Sequence, residues 1–111
     1  MRVFLLGTVI LGASLLSACA KPLPPDKLAY AGDWESPSLY LQITPGGQVS
    51  YKRVSGNQST SIDAPVKDFQ GDNVEVGVGP ATTVFVVSKP PHQNQGAWKM
   101  TVDGVELTRQ N

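Results

Sequence analysis

The chain has 111 residues, and its nine Lys and Arg balance nine Asp and Glu, so the formal net charge at pH 7 is zero. These charges are dispersed, which excludes the basic footprint of a nucleic-acid binder and a polybasic patch for anionic lipid. A single His and a single Cys supply neither a zinc ligand set nor an internal disulfide.

Residues 1–20 carry the strongest signal. Met1 and Arg2 make a short basic start, residues 3–16 are apolar apart from small residues, Thr8 and Ser14, and small residues precede Cys19. Basic start, apolar stretch and small residues before a cut describe a secretory signal. The closing Leu16-Ser17-Ala18-Cys19 resembles the lipobox of bacterial lipoproteins. That resemblance implies a signal peptide over 1–18, cleavage before Cys19, a thioether diacylglycerol on its sulfur and N-acylation of its new amine, with palmitate-type chains. Two or more acyl chains anchor stably, at about 0.8 kcal/mol per buried methylene. Ala20 follows the cysteine, whereas in enterobacterial lipoproteins an Asp there retains the protein in the inner membrane; the expectation is therefore the periplasmic face of the outer membrane. Two other readings stay open. Ala18-Cys19-Ala20 also fits an ordinary signal-peptidase site, and residues 3–20 approach the roughly 20 apolar residues of an uncleaved spanning helix.

Removing the signal leaves about 93 residues, one small domain with one modest core. Lys21-Pro22-Leu23-Pro24-Pro25-Asp26-Lys27 reads as a polyproline spacer, so that 19–28 is expected to form a lipidated, Pro-rich tether and 29–111 the domain. At about 3.1 Å per residue such a spacer holds the domain roughly 20 Å from the bilayer. Residues 28–30 fit a short helical turn stopped by Gly32.

Beyond that the texture is β: Gly and Pro recur, Val, Thr and aromatic residues are frequent, and no 3.6 period is sustained. A first strand is expected around Trp34. Leu39, Leu41 and Ile43 then alternate with polar residues up to Pro45-Gly46-Gly47, after which Val49 and Tyr51 resume the alternation. A three-residue loop with a left-handed glycine pairs Ile43 with Val49 and Leu41 with Tyr51. Asp103-Gly104 is the type I′ turn signal; folding about it pairs Val102 with Val105, Met100 with Leu107 and Trp98 with Arg109, the last a cation–π candidate.

The middle is ambiguous in register. Strands over 61–69 and 74–78 flank Gly71-Asp72-Asn73. A two-residue loop aligns Phe69 with Val74 and Val76 but carries Lys67 inward, while a three-residue loop turns Val66 inward together with Asp68. Residues 82–88 form a further strand whose run Val84 to Val87 suits burial on both faces, and 89–96 reads as a long polar loop. The fold class expected is all-β: a single small antiparallel meander of about seven strands, closed into a barrel or a strongly curved sheet because closure hides strand edges. Gly32-Asp33-Trp34 is similar to the Gly-x-Trp opening of lipocalin-like barrels. The chain is shorter than a lipocalin, so side chains are expected to fill the interior.

Candidate chemistry is sparse. His92, in the 89–96 loop, has no second His or Cys for a metal and no partner for general-base work. Asp63, Asp68, Asp72 and Glu75 lack the oxygen spacing of a calcium loop. Serines crowd the stretch 55–60, read as a loop, with no Ser-His-acid pattern, and Gly77-Val78-Gly79 reads as a bulge or bend. Trp34 and Trp98 suit the core, and they are also the candidate ligand-binding residues.

No catalytic residue, metal site or cofactor is therefore expected, and Cys19 is the one modification site. The function expected is non-enzymatic: a membrane-anchored envelope lipoprotein that binds another envelope component or supports envelope assembly. One alternative is a lipocalin-like carrier of a small hydrophobic ligand with Trp34 near its mouth or base. A lesser one is an inhibitor of an envelope-attacking enzyme, although the paired cysteines of small lipidated barrels that inhibit lysozyme are missing.

Overall fold

A computed structural model describes residues 20–110. Cys19 and the signal segment lie outside these residues. The domain is all-β, with nine strands: β1 (Gly32–Glu35), β2 (Leu39–Ile43), β3 (Gln48–Ser55), β4 (Gln58–Gln70), β5 (Asn73–Val78), β6 (Ala81–Phe85), β7 (Val87–Asn94), β8 (Ala97–Val102) and β9 (Val105–Gln110). They pair antiparallel in the order β6-β5-β4-β3-β2-β1-β9-β8-β7, and the sheet curls into a half-barrel.

Both hairpins with clear turn chemistry take the expected register. Ile43 faces Val49 and Leu41 faces Tyr51 across a loop in which Gly47 has φ 93°. Val102 faces Val105 and Met100 faces Leu107, with Asp103 at φ 51° and Gly104 at φ 81°. The ladder of β8 and β9 ends at Lys99 with Thr108, one pair short of the expected Trp98 with Arg109, and on its other side β9 pairs with β1, where Arg109 faces Trp34.

The middle hairpin uses a two-residue loop, with Gln70 opposite Asn73 and Phe69 opposite Val74. Val66 then faces Val76 because the register shifts between Val66 and Asp68. A strand of period two cannot turn residues three apart to one face, so Val66 and Phe69 require one extra residue between them. Lys67 is that residue. It stays exposed, and its Nζ donates to the Gly79 carbonyl at 2.8 Å.

Four expectations about the strands are corrected. The strand count is nine rather than about seven. Val84 to Val87 do not share burial on both faces: Phe85 and Val87 are buried while Val84 and Val86 are exposed, because this run lies at the sheet edge. The 89–96 loop is mostly strand; β7 runs to Asn94 and turns through Gln95 and Gly96, accommodating Pro90 and Pro91 by register shifts on an edge that needs few of their missing N–H groups. The serine-rich stretch 55–60 is a tight hairpin, with Ser55 opposite Gln58.

The stretch read as a free spacer is packed onto the sheet. Leu23 joins the core, its N–H donating to the Pro45 carbonyl at 3.0 Å, and Pro25–Tyr30 forms a 3-10 turn with Tyr30 buried. Tyr30 meets Phe69 edge-on at 5.3 Å, and Lys27 donates to the Gly71 carbonyl at 3.1 Å. This segment crosses one end of the half-barrel and covers apolar side chains that the sheet leaves open.

Candidate functional site

The core shows what the domain keeps for stability. Trp34, Leu39, Leu41, Ile43, Val49, Met100 and Leu107 are fully enclosed. Trp34 donates its indole N–H to the Tyr30 carbonyl at 2.9 Å, satisfying its one polar atom. The Arg109 guanidinium lies 5.8 Å from the Trp34 ring and 4.9 Å from the Trp98 ring, so the expected cation–π contact forms and gains a second ring. Gly32 makes room for it: a Cβ there would lie 2.7 Å from the Arg109 Cδ. Of the two candidate ligand-binding tryptophans, Trp34 is therefore sealed between core and guanidinium, and Trp98 is half-buried beneath the same cation.

Side chains occupy the space inside the sheet. Two surface grooves, about 190 and 110 Å³, lie elsewhere, lined respectively by residues around Lys21 and Val66 and by residues around Pro37 and Val54. Both are below the roughly 300 Å³ at which small-molecule sites begin.

The other expected polar residues are dispersed. His92 sits on edge strand β7 opposite Lys99, its Nδ1 2.8 Å from the Pro90 carbonyl. Asp68 faces Glu75 across the middle hairpin; Asp68 accepts the Phe69 N–H and Glu75 accepts from Gln70. Among the described residues, no three His, Cys, Asp or Glu are gathered as metal ligands.

Asp103 has a role its turn position did not reveal. Only Val86 separates β6 from β7, so the chain steps there directly from one edge of the sheet to the other. A backbone between strands needs partners for its polar groups. Asp103 supplies them: its Oδ1 accepts the Val86 N–H at 2.9 Å, and its own N–H donates to the Val86 carbonyl at 2.8 Å. Its Oδ2 accepts the Tyr51 hydroxyl at 3.2 Å, and the Tyr51 ring stacks on Phe85 at 4.5 Å. Burial raises the Tyr51 phenol above its ordinary range, and the Asp103 charge adds to this. The Asn73 Oδ1 accepts the next N–H, from Val87, at 2.8 Å. Two side chains thus fasten the crossover.

What remains open is the edge of β6. Among the described residues, the strand Ala81-Thr82-Thr83-Val84-Phe85 pairs with β5 on one side and with no strand on the other. It carries no charge and no proline, and beside it Val78 and Val86 are 70% and 51% exposed. The other edge, β7, carries Lys89, Pro90 and Pro91 and two register shifts. Charge, proline and bulges are how natural sheets protect an edge. β7 has all three and β6 has none of them.

Comparison of the chain with protein-family models, with curated proteins and with solved structures finds no match.

Proposed function

We propose that this chain is a non-enzymatic envelope lipoprotein, held in the outer membrane by lipid on Cys19, whose β domain takes up an extended segment of another envelope protein along β6. The observation that carries the binding half of this reading is the contrast between the two sheet edges. An uncharged, proline-free strand with unpaired backbone groups offers the main-chain hydrogen bonds of strand addition, and exposed Val78, Val84 and Val86 offer apolar contacts for alternate side chains. The lipobox Leu16-Ser17-Ala18-Cys19 supports the anchoring half.

The test uses photocrosslinking in intact cells, with a benzoylphenylalanine at Val84 and, separately, at Gln93 on β7. The expected result is a discrete protein adduct from position 84 and none from position 93. No adduct from either position, or equal adducts from both, contradicts strand addition at β6.

A further inference from the structure

We propose that the barrel end built from the β2–β3 turn, the Lys67 bulge and the 21–24 segment lies directly against the phospholipid headgroups, rather than standing off the membrane on a spacer. This inference rests on the anchored reading of Cys19 given above.

The length of chain outside the packed domain decides it. Leu23 is buried and its N–H is bonded to Pro45. Two residues earlier, the Lys21 carbonyl packs so closely on Gly47 that a side chain at position 47 would collide with it. Gly47, buried and at φ 93°, is where the close approach requires glycine. The chain is therefore fixed to the domain from Lys21 onward, and Ala20 alone separates Lys21 from Cys19. Two residue steps reach at most about 7 Å. The headgroup layer of one leaflet is roughly 5–8 Å thick, half the difference between the whole bilayer and its hydrocarbon core. Acyl chains on Cys19 lie in the hydrocarbon, so a 7 Å link leaves Lys21 and the barrel end around it at the headgroups.

The chemistry of that end suits this position. Lys21 and Lys67 line the same groove of about 190 Å³, with Pro22, Pro24, Val66 and Phe69; Asp68 also lines it and offsets part of the positive charge. The groove has room for the polar part of a headgroup and not for an acyl chain. Lys67 reaches the Gly79 carbonyl, and next to Gly79 stands Val78, the most exposed large apolar side chain among the described residues. With eight Lys and Arg against nine Asp and Glu from Cys19 onward, the short link, not a basic surface, sets the orientation.

The lipidated protein is to be reconstituted in vesicles of phosphatidylethanolamine and phosphatidylglycerol containing a headgroup-nitroxide lipid. Lipidation consumes the Cys19 thiol, so Val78→Cys and Asn57→Cys each give one labelling site. Asn57 lies in the β3–β4 turn, beyond the eight residues of β3 and so roughly 25 Å from the β2–β3 turn. A fluorophore at 78 is expected to be quenched several-fold more strongly than one at 57. A Gly-Ser insert of ~12 residues between Ala20 and Lys21, adding about 20 Å of reach, is expected to abolish the difference. Co-sedimentation with vesicles but equal quenching at 78 and 57 overturns the docking and leaves the anchor standing. Failure of the mature protein to co-sediment overturns both.

Discussion

Asp103 holds together two features that are usually separate, a tight turn and a chain crossover, and substitution can pull them apart. Asp103→Gly keeps a residue at ease at φ 51° but removes the acceptors for Val86 and Tyr51. Hydrogen bonds to a charged group are worth about 1.5–3 kcal/mol each, so a loss of about 2–4 kcal/mol is expected in urea unfolding. Asp103→Asn keeps the turn and one acceptor and is expected to lose about 1 kcal/mol. Equal stability of the two variants would show that the turn alone matters. Tyr30 gives a pH signature. Its hydroxyl donates to the Asp72 carbonyl at 2.9 Å, and burial, with the Asp72 charge adding, pushes its pKa up to about 12. The folded state favours the protonated phenol, so this contribution is complete below pH 10 and is lost as pH rises through about 12. The free energy of unfolding is expected to fall over that window by roughly 1–2 kcal/mol, and to fall less in Tyr30→Phe.

Among the elements, those with local instructions were legible and those depending on distant partners were not. Pro45-Gly46-Gly47 and Asp103-Gly104 name their turns, and the alternation beside them sets register with nothing else needed. The Lys67 bulge had a signal, the three-residue spacing of Val66 and Phe69, but it reads only once both are known to face inward. Leu23 was a lone apolar residue among prolines, and its burial depends on a gap in a sheet built from residues far along the chain. In the same way Asp103 reads as a turn residue until Val86 is brought beside it. The split of 82–94 into β6 and β7 escaped notice because four successive residues, Val84 to Val87, resemble a strand buried on both sides. The two edges that the split creates make their own prediction. Replacing the prolines of β7 (Pro90→Thr with Pro91→Val) restores an unbroken edge and is expected to give concentration-dependent association by light scattering. Unchanged monodispersity would mean that Lys89 and the register shifts protect β7 without them.

For the whole molecule, a small all-β domain was readable from turn spacing and alternation, while the strand addition proposed for β6 was not, because it uses backbone groups that every sequence possesses. The half-barrel fills its interior with side chains, fastens its crossover through Asp103 and Asn73, and, among the described residues, leaves β6 as the unprotected edge. Its proline-rich leader packs onto the sheet through Leu23 and Tyr30. The claim on which the rest depends is the lipid on Cys19, and intact mass spectrometry of the membrane-extracted protein tests it most directly. The expected species begins at Cys19 and carries the added mass of a diacylglycerol and one further acyl chain, and Cys19→Ser removes the protein from the membrane fraction. An unmodified mature chain, or a Cys19→Ser variant that fractionates as the parent does, would contradict it.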